Sequence, residues 1–350
     1  MSIFDLIVPG LVSILIFFFI IYTHQIIKFL NQTEINYYGI QKIHNKSTSR
    51  LGGFVIYGSL IFFYFYSTED QFLLKYLLIS SFPLIVFSIS EDIFQNMPPK
   101  LRILAIFSSC ILFYSLYLDN SFPQIDFPLL NFIHEDRFFS IVFFSFAILS
   151  VSNGMNIIDG SNGTCAFTAL AQLLSIVFIS SIVNDNQLLN LSLILIFFIF
   201  IFLIFNYPLG KIFLGDTGAY FLGFASCILT IELYGRNQGL PSWGAILILF
   251  YPVIETIFST IRKKFYEKSS PLEPDPYHLH LKLFFFLKKK YNGSQLLKLN
   301  NLIFILLIPI CFLPSIINIL FYDNLIYIIC FIVFFTIFYF LYYLVIPRNN

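Results

Sequence analysis

The chain is 350 residues long, 58% hydrophobic and only 11% charged, with 47 phenylalanines and a net charge of +1. A soluble globular chain of this length could not hide that much apolar surface, and the near-neutral balance leaves no basic footprint for a nucleic acid. Repeated apolar runs of about 20 residues match the thickness of a bilayer core. Without the two-residue alternation of a transmembrane barrel, they predict an all-α, polytopic membrane bundle forming a single domain.

Eleven spans are predicted, near 4–28, 52–68, 71–90, 101–118, 138–152, 164–183, 188–206, 214–232, 241–262, 300–321 and 324–346. The first lacks a positive start and is too long for a cleavable signal peptide. Short connections at 69–70, 184–187 and 322–323 make their neighbours antiparallel hairpins. When the connections are numbered alternately, one side receives all 20 Lys and Arg residues except Lys75, Arg137 and Arg236. That side is then cytoplasmic, with the N-terminus outside and the C-terminus inside. Cys110, Cys165, Cys227, Cys311 and Cys330 lie in apolar spans without C-x-x-C spacing and read as small buried hydrophobes.

The polar residues gather in the connections of that same side. The first holds H-N-K-S-T-S-R-L-G-G, from His44 to Gly53. Lys46 reads as ordinary positive-inside charge. Arg50 stands beside glycines that permit close backbone approach, at a helix start that favours anions, and reads as a binding element. The second connection opens on Glu91 and Asp92 and continues through P-P-K-L-R to Lys100 and Arg102. Two acids at a helix C-terminus oppose its dipole and are a poor choice for stability alone. Such a pair suits a divalent cation or a proton taken from an attacking phosphate.

The third is S-N-G-M-N-I-I-D-G-S-N-G, Ser152 to Gly163, between two apolar runs. Its glycines read as a turn. Asn153, Asn156 and Asp159, spaced by three, share roughly one face if the segment is helical, and polar groups kept at a membrane boundary point to function. The fourth, F-L-G-D-T-G, sets Asp216 at a helix start. It is either a plain cap or, given its glycines and the other acids on that side, a metal ligand. The fifth, Arg262 to Asn300, carries P-L-E-P-D-P-Y-H-L-H. Pro271, Pro274 and Pro276 keep it extended, so that His278 and His280 would point the same way into a substrate pocket. Lys263–Lys264 and Lys288–Lys290 read as contacts to anionic lipid head groups. The outer connections offer nothing comparable. Ser121 to Asp136 reads as a solvated link, and Glu232 and Glu255, near span ends, are the nearest exceptions.

Collection of these groups at one face predicts an interfacial active site, not the mid-span sites and broken helices of a transporter. Oxygen ligands without a thiolate cluster suggest Mg2+, with Mn2+ as its substitute. Bases and glycine turns beside such an ion suit a diphosphate, and the membrane address suggests a lipid as one substrate. Together these parts point to phosphoryl transfer from a soluble nucleotide donor to a lipid phosphate.

In order, R-L-G-G, E-D, N-x-x-N-x-x-D-G-x-N-G, G-D-T-G and H-L-H resemble the polyprenyl-phosphate N-acetylhexosamine-1-phosphate transferases of the MraY/WecA type. The resemblance spans roughly Lys46 to Leu283 and lies nearer the WecA-like branch. It implies a bacterial inner-membrane enzyme that moves N-acetylhexosamine 1-phosphate from a UDP-N-acetylhexosamine to polyprenyl (undecaprenyl) phosphate. UMP is released, and a lipid-linked cell-envelope polysaccharide is begun. It further implies Asp216 as the magnesium ligand, with Asn156 beside metal or nucleotide. Glu91, Asp92 and Asp159 become catalytic, Asp92 contacting the lipid phosphate. Lys46, Arg50, Asn153, Asn162, His278 and His280 become substrate-binding. Three positions depart from the family's pattern: Glu91 and Asn162 each stand where aspartate is common, and Leu281 where a further histidine often follows. The last two favour a surface-polysaccharide branch over the muramoyl-pentapeptide enzymes. A lipid-carrier transporter and a scaffolding relative without turnover are the competing readings, and homodimer formation stays open.

Overall fold

The computed structural model describes residues 3–31, 48–67, 71–95, 97–118, 121–125, 136–270, 275–291 and 296–347. No β-strand occurs among them. The helices are α1 (Ile3–Asn31), α2 (Gly52–Tyr66), α3 (Phe72–Phe94), α4 (Pro99–Leu116), α5 (Arg137–Ile158), α6 (Thr164–Ile182) and α7 (Asn186–Asn206). They continue as α8 (Gly215–Arg236), α9 (Gly244–Ile248), α10 (Phe250–Ile261), α11 (Leu279–Lys290), α12 (Leu296–Cys311), α13 (Leu313–Leu320) and α14 (Leu325–Val345). Asp136 starts α5 by accepting the Phe138 and Phe139 N–H groups, and Asp185 starts α7 by accepting that of Leu188.

Among the described residues, nine helices are long and apolar enough to cross a membrane, with Leu296–Leu320 taken as one. The expected eleven differ at two places. The helix within 52–68 has only 15 residues, and the run 241–262 is divided between α9 and α10 at Leu249. Pro252 accounts for the division. It lacks the N–H that would bond the carbonyl of Ile248, and its ring crowds that carbonyl, which favours a break here, although α3 continues through Pro83. Pro314 does the same to Ile310, and the 300–321 run turns at Phe312 between α12 and α13.

At the centre stands α8, buried from Gly215 to Gly235 and packed against α2, α3, α5 and α6. Lipid tails are as apolar as leucine, so helices associate in a bilayer by close packing more than by hydrophobic transfer, and small residues favour it. A Cβ on Gly53 of α2 would lie 2.0 Å from the backbone N of Gly218. A Cβ on Gly223 would lie 2.6 Å from Cα of Ser152 on α5. Two neighbours thus reach the backbone of α8 directly. Four cysteines are buried as expected, whereas Cys330 is exposed on α14. Its helix has few buried positions, so the outward face of an outer span is where this thiol falls.

At the far end of α8, Arg236 bonds Glu232, Asp185, Gln187 and the Tyr117 hydroxyl. The outer side was expected to hold nothing comparable. The structure instead has a partly buried ionic knot at this end of α8, which ties the ends of α4, α7 and α8 together. It lies 20 residues along α8 from Asp216, or about 30 Å at helical rise.

Candidate active site

The R-L-G-G and F-L-G-D segments, far apart in sequence, lie side by side. The Phe213 N–H donates to the Ser49 carbonyl at 2.8 Å, and the Gly52 and Gly53 N–H groups donate to Phe213 and Leu214 carbonyls at 3.0 and 2.8 Å. The first amides of α2 are therefore satisfied by backbone, and the anion expected at this helix start has no free donors there from Gly52 or Gly53. Gly215 closes the junction with φ +76°. A Cβ on it would lie 2.1 Å from the Arg50 carbonyl and 2.8 Å from both Asp92 carboxylate oxygens. Only glycine fits that conformation and that space.

Asp92 comes from the end of α3 but serves α8. Its Oδ1 accepts the Asp216 N–H at 2.8 Å, while Oδ2 accepts the Thr217 N–H at 2.9 Å and the Thr217 hydroxyl at 2.7 Å. An acid at the C-terminus of α3 does oppose that helix's dipole, yet this one sits on the positive end of another helix. The expected penalty is thereby offset.

Two arginines flank Asp216. Arg50 donates from Nη2 to Asp216 Oδ1 at 2.7 Å, with Nε 3.5 Å from Asp92 Oδ1. Arg102 donates to Glu91 Oε1 at 3.1 Å and places Nη1 3.8 Å from Asp216 Oδ2. Glu91 is also bound by the Met97 N–H at 2.7 Å. Burial works against charge on Arg50, but Asp216, Asp92, Asp159 and Glu91 hold its pKa above the ordinary value.

The helix of the third motif runs through Ile158, so Asn153 and Asn156 are helical and Asp159 is the residue that ends α5. Asn153 is exposed, Asn156 and Asp159 half-buried. Burial pushes the Asp159 carboxyl well above the carboxylate range; Arg50 opposes this, Asp216 and Asp92 add to it, and the Gly215 N–H acts with Arg50. Asp159, Asp92, Asp216 and Arg50 thus feel one another directly. Asn162 is buried, its N–H donating to Asn300 Oδ1 at 2.7 Å and its amide nitrogen to Asn301 Oδ1 at 3.0 Å. Lys46 lies outside the described residues.

The two histidines do not share one extended chain: His278 is extended, but His280 is helical. After Pro276 nothing prevents a helix: Leu279 opens α11, apolar residues face inward, and Lys288, Lys289 and Lys290 suit its negative end. His278 is the residue before the helix and His280 lies in its first turn, their rings parallel within 5° and 6.0 Å apart. His278 Nδ1 meets Glu255 Oε1 at 3.0 Å and its Nε2 is 3.6 Å from Asp275 Oδ2, which Arg262 also binds. His280 packs on Gly160, where a Cβ would lie 2.1 Å from its Nε2. Burial first, then His278, drives the His280 pKa down to about 3, against the pull of Glu255 and Asp275.

Sequence reasoning noted Glu255 only as an exception near a span end and did not single out Arg262, Asp275, Asn300 or Asn301. A carboxylate inside an apolar run was the available signal for Glu255. The asparagine pair stands at a span boundary too, but without the glycines and acids that mark the other motifs. Among the described residues, no three His, Cys, Asp or Glu side chains gather into a ready cation cage. The arrangement instead offers four carboxylates and two guanidinium groups around the start of α8. It could hold a polyanion together with a cation.

Comparison with known proteins agrees with this geometry. Residues 74–234, which include Glu91, Asp92, Asn156, Asp159 and Asp216, match glycosyl transferase family 4. The chain is 29% identical over 250 residues to a probable undecaprenyl-phosphate N-acetylglucosaminyl 1-phosphate transferase of Bacillus subtilis, covering 70% of this chain and 68% of that protein. It is 30% identical over 151 residues to a phospho-N-acetylmuramoyl-pentapeptide-transferase of Streptococcus uberis, covering 41% and 43%. A Lactococcus lactis protein of that same name is 26% identical over 208 residues, covering 59% and 61%. The matches to these two pentapeptide transferases thus span less than two thirds of their length. Nearly half of the chain thus matches glycosyl transferase family 4, and these relatives support its resemblance to the polyprenyl-phosphate N-acetylhexosamine-1-phosphate transferases of the MraY/WecA type.

Proposed function

We propose that the protein transfers N-acetylhexosamine 1-phosphate from a UDP-N-acetylhexosamine to polyprenyl phosphate, releasing UMP, at the cytoplasmic face of a bacterial inner membrane. The observation that carries this reading is the meeting of Arg50, Asp92, Asp159 and Asp216, from four separate polar segments, at the start of α8. The charge distribution of the connections supports the cytoplasmic orientation, with the N-terminus outside. The 29% identity to a protein named for the N-acetylglucosaminyl transfer favours the WecA-like branch and UDP-GlcNAc as the first donor to try.

The donor set suits Mg2+. It is all oxygen, with Glu91, Asp92, Asp159 and Asp216 set among Arg50 and Arg102, and a bound cation would favour the ionised form of Asp159, whose pKa burial and the neighbouring acids push up. Asp216 with Asn156 would hold the ion together with substrate phosphates, the usual arrangement for magnesium. Bound there, it would supply positive charge to the diphosphate oxygens.

The chain's own residues do the rest. A polyprenyl phosphate oxygen attacks the β-phosphorus of the donor, the bond to the UMP oxygen breaks, and the sugar stays on the new diphosphate. The second pKa of a phosphate monoester is near 6, so at neutral pH the acceptor is mostly dianionic and needs little deprotonation. Arg50 and Arg102, partly exposed beside Asp216, are placed to take up diphosphate charge. Asp92, with both oxygens already accepting from α8, holds Asp216 in position. Asp159, Asn153 and Asn162 frame the nucleotide, and the histidines approach the donor; a donor-binding role for Lys46 rests on the sequence motif alone.

Detergent-purified protein given UDP-GlcNAc, Mg2+ and undecaprenyl phosphate should release UMP, and chelation of the metal should stop it. Asp216→Ala should abolish release while the protein stays folded. Movement of lipid without UMP, or no turnover with any of a panel of UDP-sugars, would replace this reading with a transporter or a scaffold.

A further inference from the structure

Glu255 on α10 is fully buried, in a helix that packs against α5. Among the described residues, no lysine or arginine is hydrogen-bonded to it. Its Oε1 accepts from His278 Nδ1 at 3.0 Å and from the Leu279 N–H at 3.3 Å, and its Oε2 accepts the Tyr339 hydroxyl at 2.8 Å. Three groups converge on one carboxyl, and an ionised carboxylate accepts from all three when His278 carries its proton on Nδ1. A buried carboxylate is expensive, and an apolar residue of the same size would serve packing better. What the charge secures is geometry. It fixes the ring of His278 and anchors the first amide of α11, and that first turn sets His280 against Gly160, next to Asp159.

We propose that Glu255 is a positioning residue for the transfer reaction, acting through His278 and the first turn of α11 to hold His280 against Gly160 and so fix the turn that carries Asp159. The role rests on the transferase reading above. Tyr339 shares it from α14, a span far beyond the catalytic motifs in sequence.

The test uses the full-length protein in detergent, with initial rates of UMP release measured while UDP-GlcNAc and undecaprenyl phosphate are varied separately. Glu255→Gln keeps the shape and removes the charge. The expected result is a fall in kcat of at least about tenfold, with both KM values within about threefold, as expected for misplaced catalytic groups. Glu255→Asp should recover part of the loss by restoring the charge. The double variant Glu255→Gln, His278→Gln should be no slower than His278→Gln alone, because both remove one interaction. Where Glu255→Gln fails to fold, Tyr339→Phe, which removes one donor only, should lower kcat by a few-fold with KM unchanged.

Undiminished kcat in Glu255→Gln, or losses that multiply in the double variant, would overturn the proposal while leaving the transferase reading intact. A wild-type protein that releases no UMP would overturn both.

Discussion

Asp92 and Thr217, 125 positions apart, are joined by two hydrogen bonds to a single carboxylate oxygen, from the Thr217 N–H at 2.9 Å and its hydroxyl at 2.7 Å. With the Asp216 N–H on the other oxygen, the end of α3 becomes the cap of α8. The residue that the motif pairs with Glu91 thereby builds the platform on which Asp216 stands. A cap supplied by a neighbouring helix does what a local Ser or Asp usually does, and it also fixes the distance between the helices.

Asp92→Asn keeps one acceptor oxygen but loses the charge facing Arg50 and the other oxygen, so either the Asp216 N–H or the two Thr217 donors go unmet. The expected cost is about 2 kcal/mol, from the lost cap and an unsatisfied buried donor. Thermal unfolding in detergent should show it, together with a fall in UMP release. Lost turnover at an unchanged melting temperature would instead assign Asp92 to the chemistry.

Gly53→Ala tests the close approach of α2 to α8. The new methyl group would lie 2.0 Å from Gly218 N and 2.2 Å from its Cα, both backbone atoms that cannot step aside. The helices must separate, at a cost of about 3 kcal/mol or more. Gly58→Ala, with nothing within 4 Å of its Cβ position, should stay within about 0.5 kcal/mol of wild type. Melting temperatures of the two variants side by side make the comparison.

The membrane class, most of the spans and several of the residues that converge at Asp216 were legible in the sequence because each has a local signal. Apolar runs reveal spans, and Asp159 or Asp216 stands out as a charge beside glycines at a span boundary. What could not be read was which groups satisfy one another. The glycines of R-L-G-G pointed to close approach, but not to Gly218 as the backbone approached. Asp92 read as an ill-placed acid because its partner helix begins more than a hundred residues later in the chain. The break at Leu249 was legible in principle, since Pro252 forbids the bond to Ile248. The run was nevertheless read as one span because its hydropathy never falters. The helix at Leu279–Lys290 was missed because the prolines before it end at Pro276 and place no constraint on the residues beyond His278.

The acid sensitivity of the fold should depend on His280. Burial, then His278, hold its folded pKa near about 3, against an ordinary value of 6.5. Below pH 6.5 the unfolded chain takes up a proton that the folded chain refuses. Stability from this group is therefore complete above 6.5 and is lost as pH falls from 6.5 toward 3, by at most about 1.4 kcal/mol per pH unit. Melting curves between pH 7.5 and pH 5, a range chosen to be about one unit above and somewhat below that ordinary value, should fall more steeply for wild type than for His280→Gln. Equal slopes would remove His280 from the account.

Asn300 and Asn301 on α12 carry the last prediction, because they lie beyond residues 74–234, the part matched by the family. Asn300 accepts the buried Asn162 N–H at 2.7 Å, while Asn301 accepts from the Asn162 side chain at 3.0 Å and donates to the Pro208 carbonyl at 2.8 Å. One span thus fastens the turn after Asp159 to the loop before Asp216. Asn300→Ala leaves the Asn162 N–H buried without its acceptor, at a cost of about 1–3 kcal/mol. That turn frames the nucleotide in the proposed reaction, so its loosening should raise the KM for UDP-GlcNAc by about tenfold, or about 1.4 kcal/mol of binding. The KM for undecaprenyl phosphate should not change. Initial rates with each substrate varied in turn decide it. An equal rise in both KM values would mean that α12 supports the bundle as a whole, whereas a rise confined to the donor ties this span to the nucleotide side of the site.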